Sequence, residues 1–202
     1  ERKVTLLNGP HTVLSPVAFL SGVNIVRDAC NHPVIGKYIH KVQFEELMQT
    51  LNLPMAELQK FASDVLERFN NPYVDHQVTS IMLNSFPKYE TRDLPGLKTY
   101  LERNGKLPQG LVFGLAAIIV YYRGGKRFDG ADITPNDAPE IMELLQNLWQ
   151  TGDTRKVTEG VLGAENIWKS DLNQIPGLTD MVQDFIDRIL SKGMLEAVKT
   201  IL

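Results

Sequence analysis

The sequence holds a single cysteine, Cys30, so no internal disulfide can form, and the chain reads as one suited to a reducing compartment. Cysteine-rich zinc sites are excluded with it. The histidines at 11, 32, 40 and 76 are scattered and no His-Glu-x-x-His pair occurs, so no metal site is expected. No Gly-x-Gly-x-x-Gly follows a strand-like stretch, which leaves the chain without a dinucleotide fingerprint of its own. Gly124-Gly125-Lys126 runs into Arg127 rather than Ser or Thr and lacks the spacing of a phosphate loop. No Gly-x-Ser-x-Gly points to a hydrolase. The longest apolar run, 111–122, is too short to span a bilayer and reads as a buried helix. A net charge of −3 gives no electrostatic case for nucleic acid or an anionic membrane surface as partner. The opening residues are charged and lack the apolar stretch of a secretory leader, so a cytoplasmic setting is expected.

What is present is a hydrophobic share of 43% in 202 residues, enough for a real core in one domain. Helical periodicity dominates. It predicts helices over 12–20 with a kink at Pro16, over 24–29, from 32 to about 51, from Pro54 through Phe69, from Pro72 to about 84, and over 95–104. Residues 85–93, with Pro87, Lys88 and Arg92, read as a polar loop. The 108–123 segment is apolar on nearly every face and is the expected central helix. A long loop over 124–135 precedes a helix over 137–150, two short helices within 154–173, and the cleanest apolar stripe of the chain over 178–190. No strand alternation stands out. The expected fold class is all-α, an irregular multi-helix bundle without internal repeats.

The chemistry gathers at the beginning. Residues 1–11 read ERKVTLLNGPH, which is Lys-x4-Asn-x2-His. The apolar stretch Val4 to Leu7 suggests an extended or irregular entry, and Asn8-Gly9-Pro10 reads as a helix start. That would set Lys3, Asn8 and His11 about the positive end of a helix, where a partly desolvated lysine has a lowered pKa and can act as an acid or base. From spacing alone the ordinary reading is the stronger: a charged residue near a terminus, a cap, and a helix-start histidine.

A resemblance changes that balance. The stretch ERKVTLLNGPHTVLSPVAFLSG, residues 1–22, resembles the start of the C-terminal domain in the mannitol dehydrogenase family of polyol-specific long-chain dehydrogenases, and Lys-x4-Asn-x2-His is that family's catalytic signature. Residues 68–95, 113–124 and 175–198 resemble the same family, so the likeness runs through the chain in order. It implies that 1–202 is a helical substrate domain, preceded in the protein by an N-terminal nucleotide-binding domain, and that the cofactor is NAD. A lysine only two residues from the chain's beginning suggests the same, since an untethered end frays. The resemblance further implies Lys3 as acid/base, Asn8 as donor to the developing oxyanion, and His11 as a substrate-orienting group. The implied substrate is a small sugar acid; which hexuronate or polyol stays open, because stereochemistry depends on pocket shape.

Arg123, in a Tyr-Tyr-Arg-Gly context, resembles a substrate-contacting arginine of the family, though helix-end charge pairing suits it as well. Lys88 is a second candidate for a substrate carboxylate, and Arg92 a weaker third. His76 reads as structural, Lys126 and Arg127 as surface charge, and Cys30 as a small buried hydrophobe. The isolated chain is expected to be inactive, since it cannot hold a hydride donor. The rival from another class is a non-catalytic helical interaction module.

Overall fold

Pro10 shapes the entry to the fold. Helical backbone begins at Arg2, and Asn8 (φ −72°, ψ −38°) lies inside it rather than at its start. In an α-helix the Leu6 carbonyl would accept from residue 10, but proline has no N–H and its ring crowds that carbonyl. The chain answers by widening into a π-helical turn over Val4–Asn8, in which the Gly9 N–H reaches back to the Val4 carbonyl. The buried Gln43 amide then donates to the Leu6 carbonyl at 2.8 Å. Gln43 comes from a second π-helical turn, Lys41–Leu47, which also turns Glu46 inward. The expected extended entry and the helix start at Asn8-Gly9-Pro10 are both corrected here: proline sits within a helix that has already begun.

The computed structural model describes residues 1–202. The helices are α1 (Gly9–Leu20), α2 (Val26–Asn31), α3 (Ile35–His40), α4 (Met55–Phe69), α5 (Val78–Ile81), α6 (Ser85–Arg92) and α7 (Leu94–Asn104). There follow α8 (Gln109–Tyr121), α9 (Pro139–Gln150), α10 (Thr154–Leu162), α11 (Glu165–Trp168), α12 (Leu178–Lys192) and α13 (Met194–Lys199). The sheet is a two-stranded antiparallel hairpin, β1 (Gly125–Lys126) with β2 (Asp132–Ile133), inside the expected 124–135 loop. The all-α expectation holds. No helix is long and apolar enough to cross a membrane.

The core forms around α8, buried from Gly110 through Tyr121. Its start is held by Glu46, which accepts from the N–H groups of Gly110 (2.7 Å) and Leu111 (2.9 Å), while the Tyr38 and Tyr89 hydroxyls donate to the carbonyls of the same two residues. Burial nevertheless pushes the Glu46 carboxyl up to about 7, the two backbone bonds offsetting only part of the desolvation. Helix α1 runs alongside α8 in the same direction: Val13 faces Gly114, and Phe19 meets Tyr121 edge-on at 5.7 Å. Helix α12 packs on the far side through Phe185 against Phe113, at 5.3 Å.

Three further expectations are corrected. Residues 85–92 of the expected 85–93 loop are helix α6; Phe86 and Tyr89, three apart, bury one face behind a polar exterior. The helix expected over 72–84 shrinks to Val78–Ile81. Residues 76–78 instead lie against α2's start, with Val26 N–H donating to His76 and Val78 N–H to Asn24. Arg127 is buried rather than surface charge: it pairs with Asp129 at 2.6 Å and donates to the Phe19 carbonyl that ends α1.

Asp93, fully buried at the junction of α6 and α7, has neither carboxylate oxygen hydrogen-bonded, and burial raises its pKa well above the usual range. It therefore stays protonated in the fold while its unfolded counterpart ionises above about pH 3.8. The folded state binds the extra proton, so this carboxyl's contribution to stability falls as pH rises from there. Asp93→Asn, which removes the titration, is expected to gain melting temperature relative to the parent protein progressively between pH 4 and 8. Melting curves at those two pH values check it; a difference independent of pH would contradict the burial account.

Candidate active site

The π-helical turn decides how the opening residues align. In an α-helix, residues five apart point about 140° from each other. Where hydrogen bonds span five residues, one turn takes up nearly that number, so Lys3 and Asn8 come toward one face. His11 follows three residues later on the ordinary α spacing of α1 and shares that face with Asn8. Lys3 is exposed and makes no hydrogen bond or ion pair; its neighbour Arg2 instead lies over Phe61 and reaches Glu57 of α4. The desolvation expected for Lys3 is thus absent from this chain's own packing. Asn8 is half-buried, and its backbone carbonyl accepts from Thr12.

His11 stands over a cavity of about 210 Å³ whose lining includes Leu7, Arg68, Phe69, Asn71 and His76. Its ring stacks on Phe69 at 3.9 Å between centroids and meets His76 edge-on at 5.6 Å. Burial, aided by the fields of His76 and Arg92, pulls the imidazole down to about 3, so the ring is neutral near pH 7. Its Nε2 is shielded from solvent yet has no hydrogen-bond partner in the chain. An unpaired buried nitrogen costs roughly 1–3 kcal/mol, which a ligand hydroxyl reaching it would recover.

Lys88 lies on α6 and donates from Nζ to the Ile81 carbonyl at 2.6 Å. Partial burial and the neighbouring Arg92 lower its pKa. Arg92, one turn further along α6, donates to Thr12 beside His11 at 3.3 Å. Arg92 is therefore the electrostatic link between Lys88 and His11, since its charge acts on both. Arg123 is not brought to this place. It follows the C-terminal end of α8, exposed, its guanidinium over the Trp149 ring at 5.6 Å, in a separate cavity with Tyr122 and Gln146. The parallel course of α1 and α8 places it at the end where Phe19 lies, roughly 12 Å along the axis from His11.

His76 is exposed and lines the cavity with its ring edge-on to His11, and Arg68 and Phe69 join it there. Arg68, in the last turn of α4 beside the apolar stripe, belongs to no motif that singles it out in the sequence. Cys30 is half-buried, with burial pushing its thiol up to about 12, an unreactive state. No three His, Cys, Asp or Glu side chains gather to hold a metal.

A family model described as the mannitol dehydrogenase C-terminal domain matches residues 1–190. The chain is 78% identical over 202 residues to altronate oxidoreductase of Bacteroides thetaiotaomicron, covering 100% of this chain and 42% of that protein. It is 39% identical to altronate oxidoreductase of Bacillus subtilis, covering 98% of this chain and 40% of that protein. Mannitol 2-dehydrogenase of Pseudomonas fluorescens, solved as a ternary complex with NAD and D-mannitol, superposes with a TM-score of 0.88 at 21% identity, over 99% of this chain and 40% of that one. At that identity the likeness speaks for the fold. The chain spans about two-fifths of the length of the relatives it matches. It belongs to the mannitol dehydrogenase family.

Proposed function

We propose that residues 1–202 are the C-terminal substrate domain of an NAD-dependent altronate oxidoreductase, also called tagaturonate reductase, which interconverts D-tagaturonate and D-altronate in the cytoplasm. The high identity to altronate oxidoreductases supports the substrate, and the ordered run of Lys3, Asn8 and His11, of which His11 lines a cavity, supports the chemistry. The single observation that carries the reading is the π-helical turn, whose spacing turns Lys3 and Asn8 toward the face of His11, a residue whose own Nε2 is buried without a partner.

The residues present do not fit a dinucleotide: a two-stranded hairpin is the sheet, and no glycine-rich strand-to-helix turn exists. NAD, which gives or takes the hydride when bound, belongs in this reading to an N-terminal domain of the same protein. Lys3 hands a proton to the substrate oxygen as the carbonyl is reduced and removes the hydroxyl proton in the oxidative direction. The Asn8 amide donates to the oxygen as negative charge builds on it. The neutral His11 holds a substrate hydroxyl and fixes its orientation. The open side of the site, with Lys3, Val4, Tyr73 and Val74 exposed, is the side a preceding domain would cover, supplying the desolvation Lys3 lacks in this chain.

The test is a substrate panel with the full-length enzyme: D-tagaturonate, D-fructuronate and D-fructose, each with NADH. The highest kcat/KM is expected for D-tagaturonate; a higher value for either of the others, or no turnover, overturns the reading. In the same assay Lys88→Ala is expected to lower kcat/KM about tenfold, as loss of a charged hydrogen bond does. Arg123→Ala, away from the His11 cavity, is expected to stay within about twofold, the scale of an exposed side chain. A larger effect at Arg123 would move the substrate toward the Trp149 cavity.

A further inference from the structure

The cavity under His11 has a charge character that the proton-transfer residues do not account for. It is lined without a single acidic side chain, yet Arg68 and His76 both open on it. Arg68 makes no ion pair and no side-chain hydrogen bond in the fold; it follows Glu67, an exposed residue outside the cavity lining, and precedes Phe69, whose ring is fixed against His11. His76 is held by its backbone, which pairs with α2 through the Val26 N–H at 2.9 Å, and the next residue bridges Ile25. The carboxylate next to His76 along the chain, Asp75, is occupied by Arg27 at 2.8 Å, and Arg27 also donates to the Pro72 carbonyl. The segment is thus fixed in place while its one negative charge is neutralised. A free guanidinium and an imidazole remain, both backed by rigid elements, a short distance from the nitrogen of His11. An arginine so placed presents a planar fork suited to a carboxylate.

We propose that Arg68 and His76 read the carboxylate of the substrate, and so make this site select a sugar acid over the neutral ketose of the same stereochemistry. The inference rests on the reading of the His11 cavity as the substrate site. Lys3, Asn8 and His11 hold the reacting end, and Arg68 with His76 hold the charged end of the same carbon chain. Lys88, already engaged with the Ile81 carbonyl, is a supporting contact rather than the reader.

The experiment compares two substrates of the full-length enzyme: D-tagaturonate, and the ketose that differs from it only by CH2OH in place of the carboxylate. In the wild type kcat/KM should favour the acid. Arg68→Met is expected to cut kcat/KM for the acid between about 10- and 150-fold, mainly through KM, while leaving the neutral ketose within about twofold. His76→Gln should give a smaller loss of the same kind, and Arg68→Lys should restore part of it. Both positions are exposed, so melting temperatures should match the parent protein. If the wild type shows no preference for the acid, the substrate reading and this inference fall together. If it prefers the acid and Arg68→Met leaves the preference unchanged, or lowers both substrates equally, the inference alone falls.

Discussion

Replacing Lys3 by alanine in the full-length enzyme should lower turnover by about 10² to 10⁴-fold, the range that a positioned acid or base contributes. The expected pattern is a fall in kcat with KM for the sugar acid changed little, because the proton moves only as the reaction proceeds. NADH binding, followed by its fluorescence, should survive, since no residue of this chain is assigned to the dinucleotide. The side chain is exposed and bonds to nothing in the fold, so alanine there should leave the melting temperature unchanged and the loss cannot be put down to unfolding. Lys3→Arg separates charge from proton transfer: arginine keeps the positive charge but does not release its proton near neutral pH, and should be nearly as impaired as alanine. Turnover within tenfold of the parent in Lys3→Ala would remove lysine from the mechanism, and the alignment made by the π-helical turn would then need another purpose.

That alignment is the part of the site the residues did not disclose on inspection. Asn8-Gly9-Pro10 carries every mark of a helix start, and it was the preceding five residues, not these three, that had to be read as helix. Pro10, with Val-Thr-Leu-Leu-Asn-Gly before it, suits a widened turn as well, but the Leu6 carbonyl then needs a donor such as Gln43, 37 residues further along the chain, and local sequence says nothing of that pairing. Elements that bury a full stripe were legible. Helix α12 shows its period in the residues themselves, and α8 announces a central position by being apolar all round. Helix α6 was not, because its buried pair Phe86 and Tyr89 is outnumbered by Pro87, Lys88, Glu90 and Arg92, and composition outweighed period. Arg127 misled for a related reason: a charged residue in a glycine-rich hairpin looks solvated until a partner, Asp129, and a helix end in want of a donor are placed beside it. The roles proposed for Lys3, Asn8 and His11 rest on family likeness. The distribution of Arg68, Lys88 and Arg123 over different parts of the surface is a property of the packing and could not have come from either.

The packing of α1 on α8 turns on Gly114, and Gly114→Val should be strongly damaging. A Cβ built there would lie 2.5 Å from Cβ and Cγ1 of Val13 and 2.9 Å from the Tyr38 hydroxyl. Val13 belongs to the rigid middle of α1, so it cannot swing aside as the end of a long side chain could. Helices α1 and α8 would have to separate, and the Tyr38 bond to the Gly110 carbonyl would be strained with them. Overpacking of this kind costs about 1–3 kcal/mol where neighbours yield and more where they do not. In a chain of this size, 3 kcal/mol corresponds to a fall of roughly 6–12 °C in melting temperature. The displacement would also carry α1, and with it His11 and Asn8, away from Phe69 and the Arg92 contact at Thr12. Gly114→Val should therefore lower kcat/KM even below its melting temperature, whereas Gly105→Ala, at a helix end with open space around it, should cost only the strain of its left-handed backbone (φ +64°). Calorimetry and activity measured on the two variants side by side decide the matter: if Gly114→Val melts no lower than Gly105→Ala, the close approach of α1 and α8 is not what fixes the site.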